Sequence, residues 1–181
     1  MKKLNVKTVV FAGVLIAMNI ILKRLFAIEL GPDLRIDFGD LPIFLAGIWM
    51  GPVIGGICGG VGDFLGCIIK GWAVNPFIML ASMLAGILGG IFKQYVFKGK
   101  LDSKKIAVIV CLHGLIGSMV LTTIGLHIQN GTPYIAMIPS RVIKTVCLVI
   151  ANTILVSVLY RSELTKYVRD SLMDRRNTKV K

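Results

Sequence analysis

The sequence predicts an all-α integral membrane protein, a six-helix transmembrane bundle with both termini in the cytoplasm. Composition, the length of the apolar runs and the placement of the cations predict it. Of 181 residues, 55% are hydrophobic and 17% are charged, where soluble domains carry about a quarter charged residues. The mean hydropathy of +0.80 excludes an ordinary cytosolic enzyme and a disordered chain alike. Lys and Arg outnumber Asp and Glu by 21 to 9. These cations are not laid out with the aromatic, base-reading partners of a nucleic-acid surface, so nucleic acid is not an expected partner. The four cysteines, Cys58, Cys67, Cys111 and Cys147, lie in apolar runs without ligand spacing and read as small buried hydrophobes, so no metal is expected.

A spanning helix needs roughly 20 apolar residues. Segment 1 runs from about Val9 to Ile28. Segment 2, from about Leu41 to Met50, is too short to cross as a straight helix and ends at Gly51-Pro52, a pair that turns the chain and starts the next helix. Segment 3 covers Val53 to Ile69, segment 4 Pro76 to Val96, segment 5 Ile106 to Ile128 and segment 6 Tyr134 to Tyr160. Residues 1–160 thus form one transmembrane domain, and 161–181 a basic cytoplasmic tail, amphipathic enough to lie on anionic lipid but read first as a solvated anchor.

Orientation follows from the retention of Lys and Arg on the cytoplasmic side. With the N-terminus inside, three cations precede segment 1, five lie at the end of segment 4 and between it and segment 5 (Lys93, Lys98, Lys100, Lys104, Lys105), and seven follow segment 6, whereas the outer side carries only Lys23, Arg24, Arg35 and Lys70. Arg141 and Lys144 remain inside segment 6. A cleaved signal peptide is disfavoured because no small-x-small site follows the first apolar run.

The acids collect elsewhere. Glu29, Asp33, Asp37 and Asp40 stand in the first outer loop with Leu34, Ile36 and Phe38, a mixture suited to a lid over a partly apolar ligand; Asp40 and Pro42 equally suit the start of segment 2. Asp63 lies within segment 3, where a carboxylate must face the bundle interior, a cavity or a cation. Either it pairs with Arg141 to hold the bundle together, or it accepts from a heterocycle while Arg141 or Lys144 faces an acceptor or carboxylate. In the second outer loop Trp72 is a stacking platform or an interfacial belt residue, and Asn75 a ligand contact or an N-cap. The third outer loop ends on Tyr134.

Small residues recur four apart at Gly51, Gly55 and Gly59, at Ala81, Ala85 and Gly89, and at Ser82, Gly86 and Gly90, a spacing that lets helix backbones approach. Gly13 and Ala17 in segment 1 form a similar face near the cytoplasmic half, where a membrane partner can dock. No phosphate loop is present, since Gly99-Lys100 is followed by Leu101. Ser118 with His113 or His127 is the available hydrolase pair, but His113 and Ser118 are five positions apart, a poor same-face spacing, and no Gly-x-Ser-x-Gly elbow surrounds the serine.

The run from Leu34-Arg35-Ile36-Asp37-Phe38-Gly39-Asp40-Leu41-Pro42 through Ala46-Gly47 and Gly51-Pro52 to Gly62-Asp63-Phe64-Leu65-Gly66 resembles the substrate-binding S component of energy-coupling factor (ECF) vitamin transporters, closest to the folate family. So does Gly131-Thr132-Pro133-Tyr134 followed by Pro139-Ser140-Arg141-Val142-Ile143-Lys144. The resemblance implies a non-enzymatic vitamin-capture subunit of the cell membrane, without a cofactor. Its implied partners are the vitamin, a transmembrane coupling T component, two cytoplasmic ATPases and membrane lipid. It implies a coupling-protein contact at Gly13 and Ala17, where the family has two alanines. The family's Pro-Gly-Phe-Thr start of segment 4 stands here as Asn75-Pro76-Phe77-Ile78. Expected ligand contacts are Arg35, Asp37, Phe38, Gly39, Asp63, Lys70, Trp72, Asn75, Tyr134 and Arg141. Folate leads, with riboflavin or pantothenate as alternatives, and an intramembrane hydrolase stands as the reading from another class.

Overall fold

A computed structural model describes residues 6–29, 35–97, 101–131 and 133–173. Helix α1 (Val6–Arg24) leads to a short antiparallel hairpin, β1 (Ile28–Glu29) and β2 (Arg35–Ile36), in which Ile28 faces Ile36. There follow α2 (Asp40–Met50), α3 (Pro52–Lys70) and α4 (Pro76–Ile91), the last continuing as a π turn over Phe92–Val96. Helix α5 (Ser103–His113), a π segment (Gly114–Thr122) and α6 (Thr123–Asn130) form one continuous rod, followed by α7 (Tyr134–Arg161) and α8 (Glu163–Met173). Five of these stretches, Val6–Arg24, Pro52–Lys70, Pro76–Val96, Ser103–Gln129 and Met137–Arg161, are long and apolar enough to cross a membrane.

Segment 1 ends earlier than expected, at Arg24, because the chain turns there into the hairpin. Lys23 and Arg24, counted among the outer charges, thus form the last turn of the spanning helix. The tail is likewise helical from Glu163 and folds back on the bundle, where Val168 is buried. Residues 174–181 lie outside the described part.

Helix α2 has 11 residues, about 16 Å of rise, half of a bilayer core. Every side chain from Leu41 to Ile48 is buried, which is why the segment is apolar all round rather than striped. It is the central pillar, with α1, α3, α4 and α7 around it. Its contact with α3 and α4 depends on missing side chains: a Cβ on Gly47 would strike the Gly86 carbonyl, one on Gly86 the Gly55 carbonyl, and one on Gly59 the Ser82 carbonyl. The α2–α3 turn at Gly51 has φ +102°, a conformation that favours glycine.

The stripe on α1 behaves differently. Gly13 has open space around it and Ala17 is exposed. Cys58 and Cys67 are buried as expected, but Cys111 and Cys147 face outward, where apolar surface toward lipid serves as well as a core.

Candidate ligand-binding site

At the end of the bundle opposite Lys93, Lys104 and Arg161, a cavity of about 350 Å³ opens between α1, α3, α4, the α5–α6 rod and α7. Glycines on α3 shape its charged wall. Gly62 and Gly66 leave room against which Asn19 and Arg24 of α1 lie, so the long cations at the end of α1 reach across the thinned helix to Asp63. That carboxylate is completely buried. Its Oδ1 accepts from Lys23 Nζ at 2.9 Å and from Arg24 Nη2 at 3.2 Å. Lys23 also donates to Ser82 Oγ at 2.6 Å, and Arg24 approaches Cys67 Sγ at 3.2 Å while its guanidinium carbon stands 5.0 Å from the Trp72 ring centroid. Asp63 Oδ2 accepts no hydrogen bond among the described residues.

Asp63 therefore pairs with α1, not with Arg141 of segment 6 as the sequence alone allowed. Arg141 is still buried and in the cavity wall, with Lys144, Thr145, Leu148 and Asn152 on the same face of α7, the i, i+3, i+4, i+7, i+11 spacing of one helical stripe. Lys144 Nζ lies 3.9 Å from Asp37 Oδ2, which ties α7 to the strap between the hairpin and α2. Asp37 Oδ1 also accepts from the Gly39 amide at 3.3 Å, and Asn19 of α1 holds the Gly39 carbonyl at 2.7 Å.

The opposite wall is polar but uncharged. Asn75 takes the N-cap role: its Oδ1 accepts from the Phe77 amide at 3.1 Å, while its Nδ2 donates to the Gly125 carbonyl at 2.6 Å and the residue lines the cavity. His113 places Nε2 3.1 Å from the Ala81 carbonyl with its ring edge-on to Phe44. The π segment brings Gly114, Ser118 and Thr122 to the same wall, and Ser118 accepts from Thr145 at 3.2 Å; such widened turns recur at functional sites.

Of the residues expected from sequence, Asp37, Asp63, Trp72, Asn75 and Arg141 line this cavity. Gly39 acts through its backbone, and a Cβ there would meet Lys23. Phe38, Lys70 and Tyr134 are not brought to its wall: Phe38 is half-buried, Lys70 is exposed at the end of α3, and Tyr134 stacks on His127 at 4.1 Å. The side chain of Arg35 and residues 30–34, Asp33 among them, lie outside the described part. Sequence reasoning missed Lys23, Arg24, Ser82, Gln129 and Asn152 as wall residues. The available signal was a pair of cations closing an apolar helix, with one buried acid elsewhere to receive them.

The wall thus carries four cations (Lys23, Arg24, Arg141, Lys144) and three carboxylates (Asp37, Asp40, Asp63) beside Trp72. This arrangement suits reversible capture of a flat, hydrogen-bonding, charged molecule.

Comparison with known proteins agrees with that chemistry. A curated relative, the folate transporter FolT of Clostridium novyi (strain NT), is 29% identical over 146 residues, 80% of this chain and 81% of its own. The crystal structure of FolT bound with folic acid superposes with a TM-score of 0.76 at 28% identity, covering 86% of this chain and 93% of that one. The S component of a bacterial ECF transporter, at 22% identity and a TM-score of 0.65, covers 90% of this chain and 98% of its own, and shares the fold. The family model described as "ECF-type riboflavin transporter, S component" matches residues 3–161, and this chain belongs to that family.

Proposed function

We propose that this chain captures a folate at the outer face of the cell membrane and passes it inward as the S component of an ECF importer, with a transmembrane T component and two ATPases supplying the energy. The observation that carries the ligand assignment is the mixed charge of the cavity. A pterin edge, with donors and acceptors side by side, matches Asp63 and Asn75, and Trp72 gives it a face. A glutamate tail matches Arg141 and Lys144. The likeness to FolT holding folic acid supports this reading.

Riboflavin is the second reading, favoured by the description of the family model. It carries no carboxylate to meet Arg141 and Lys144 in the wall, whereas the glutamate tail of a folate does. A hydrolase has no support: Ser118 accepts from Thr145 and His113 addresses the Ala81 carbonyl, so the two do not meet. The chain is proposed to work without catalysis.

The orientation belongs to the same proposal. Lys7, Lys93, Lys104, Lys105, Arg161 and Lys166 stand toward the end away from the cavity, which places that end in the cytoplasm and the cavity mouth outside. Residues 1–160 are then the transmembrane body, with 161–181 on the inner side. On α1, Val10, Gly13, Val14 and Ala17 make an exposed strip that fits a partner helix.

The test is a binding titration of the purified protein in detergent against folate, riboflavin, pantothenate and thiamine. Quenching of tryptophan emission by folate, lost in Trp72→Phe while calorimetric binding persists, is the expected result. Binding of riboflavin without folate overturns the assignment.

A further inference from the structure

We propose that the cleft between α5 and α7, at the end remote from the vitamin cavity, binds one anionic phospholipid of the inner leaflet. The cleft measures about 270 Å³ and is lined by Ser103, Thr153, Ile154, Ser157, Val158 and Arg161, none of which lines the vitamin cavity.

Three observations point to this ligand. Asp102 occupies the N-cap of α5 with an extended backbone, yet its side chain makes no capping bond and instead accepts from Arg161 Nη2 at 2.8 Å. The first-turn amides of α5 are thereby left without a side-chain acceptor, at a helix end that favours an anion. Arg161 uses the same Nη2 toward Ser103 Oγ at 3.0 Å, which leaves Nη1 and Nε as separate single donors for a phosphate oxygen. Lys104 and Lys105 add positive charge on the same turn.

The third observation lies deeper. Ser157 is 7% exposed and its Oγ has no hydrogen-bond partner among the described residues, and the Oγ1 of half-buried Thr153 likewise has none. Thr153, Ser157 and Arg161 are four apart on one face of α7, so each step is about 6 Å along the axis. Two hydroxyl donors therefore lie in sequence beneath a guanidinium, in a region where bulk water does not reach. A diacyl phospholipid presents the matching series: a phosphate, then ester carbonyls that accept hydrogen bonds, then acyl chains. The exposed side chains of Ile154 and Val158 flank the path of those chains. A free phosphate answers only the upper part of this series, and a partner helix has its carbonyls already occupied. Anionic headgroups are concentrated in the cytoplasmic leaflet, which is where the basic end places the cleft.

The experiment is native mass spectrometry of the delipidated full chain in detergent, titrated with dioleoyl phosphatidylglycerol, with dioleoyl phosphatidylcholine or with inorganic phosphate. A single phosphatidylglycerol adduct is expected to survive activation that strips phosphatidylcholine. Ser157→Ala and Arg161→Gln should each reduce its occupancy roughly three- to tenfold. Monodisperse elution checks the folding of each variant, and Ser157→Ala, which leaves the Arg161–Asp102 bridge intact, decides the matter if Arg161→Gln does not fold. Equal retention of the two lipids, unchanged occupancy in the variants, or displacement of the lipid by inorganic phosphate overturns the proposal.

Discussion

Asp63 holds two cations from a different helix while having no contact with solvent. Asp63→Asn leaves Lys23 and Arg24 facing a neutral amide in a buried site, and breaking such a pair by removing one partner costs about 3–5 kcal/mol. Lys23→Gln is milder, because Arg24 still balances the carboxylate. The expected order in detergent thermal unfolding is wild type above Lys23→Gln above Asp63→Asn, with folate affinity falling in the same order. Equal unfolding temperatures for the two variants reject the pairing. Asp63 was legible in the sequence as a buried acid because nothing else in segment 3 is charged. Its partners were not legible, since a cation count by loop treats Lys23 and Arg24 as outer charges and only the end of α1 shows that they turn inward. Asn152 was obscured similarly: a lone polar residue in an apolar run does not reveal which side of its helix faces a cavity.

At the scale of elements, α2, α3 and α4 meet through backbone. Gly86→Ala directs a methyl group into the Gly55 carbonyl, with no flexible side chain there to give way. Overpacking of this kind costs about 1–3 kcal/mol, so the variant should unfold at a clearly lower temperature. Gly13→Ala, with open space around the glycine, should not lower it; the contrast tests whether the two glycine stripes differ as the packing says. The spacing of small residues was legible in both stripes, but spacing alone does not say whether the neighbour is inside the chain or outside it. Helix limits were legible wherever Pro or Gly marks them, as at Pro52, Gly71 and Pro76. The π segment at Gly114–Thr122 was not, because its widened turn is decided by packing against α4 and α7 rather than by residue preference.

For the whole molecule, the outward strip on α1 and the absence of a phosphate loop bear on the same question of where energy enters. A binding subunit with a buried ligand site can reach equilibrium with its vitamin, but accumulation against a gradient needs work that binding alone does not supply. If the T component grips α1 at Gly13 and Ala17, a bulky side chain there separates capture from transport. Ala17→Leu lies on the exposed face, away from the cavity wall, so folate binding in detergent should match the wild type while co-purification with the T component is lost. Cells carrying the variant should then retain surface binding of labelled folate and lose its accumulation, the phenotype also expected of cells without the ATPases. Accumulation by this chain alone rejects the ECF mechanism for it, whereas undisturbed co-purification of Ala17→Leu rejects only the α1 contact. The two results separate the question of what drives transport from the question of which surface receives the drive.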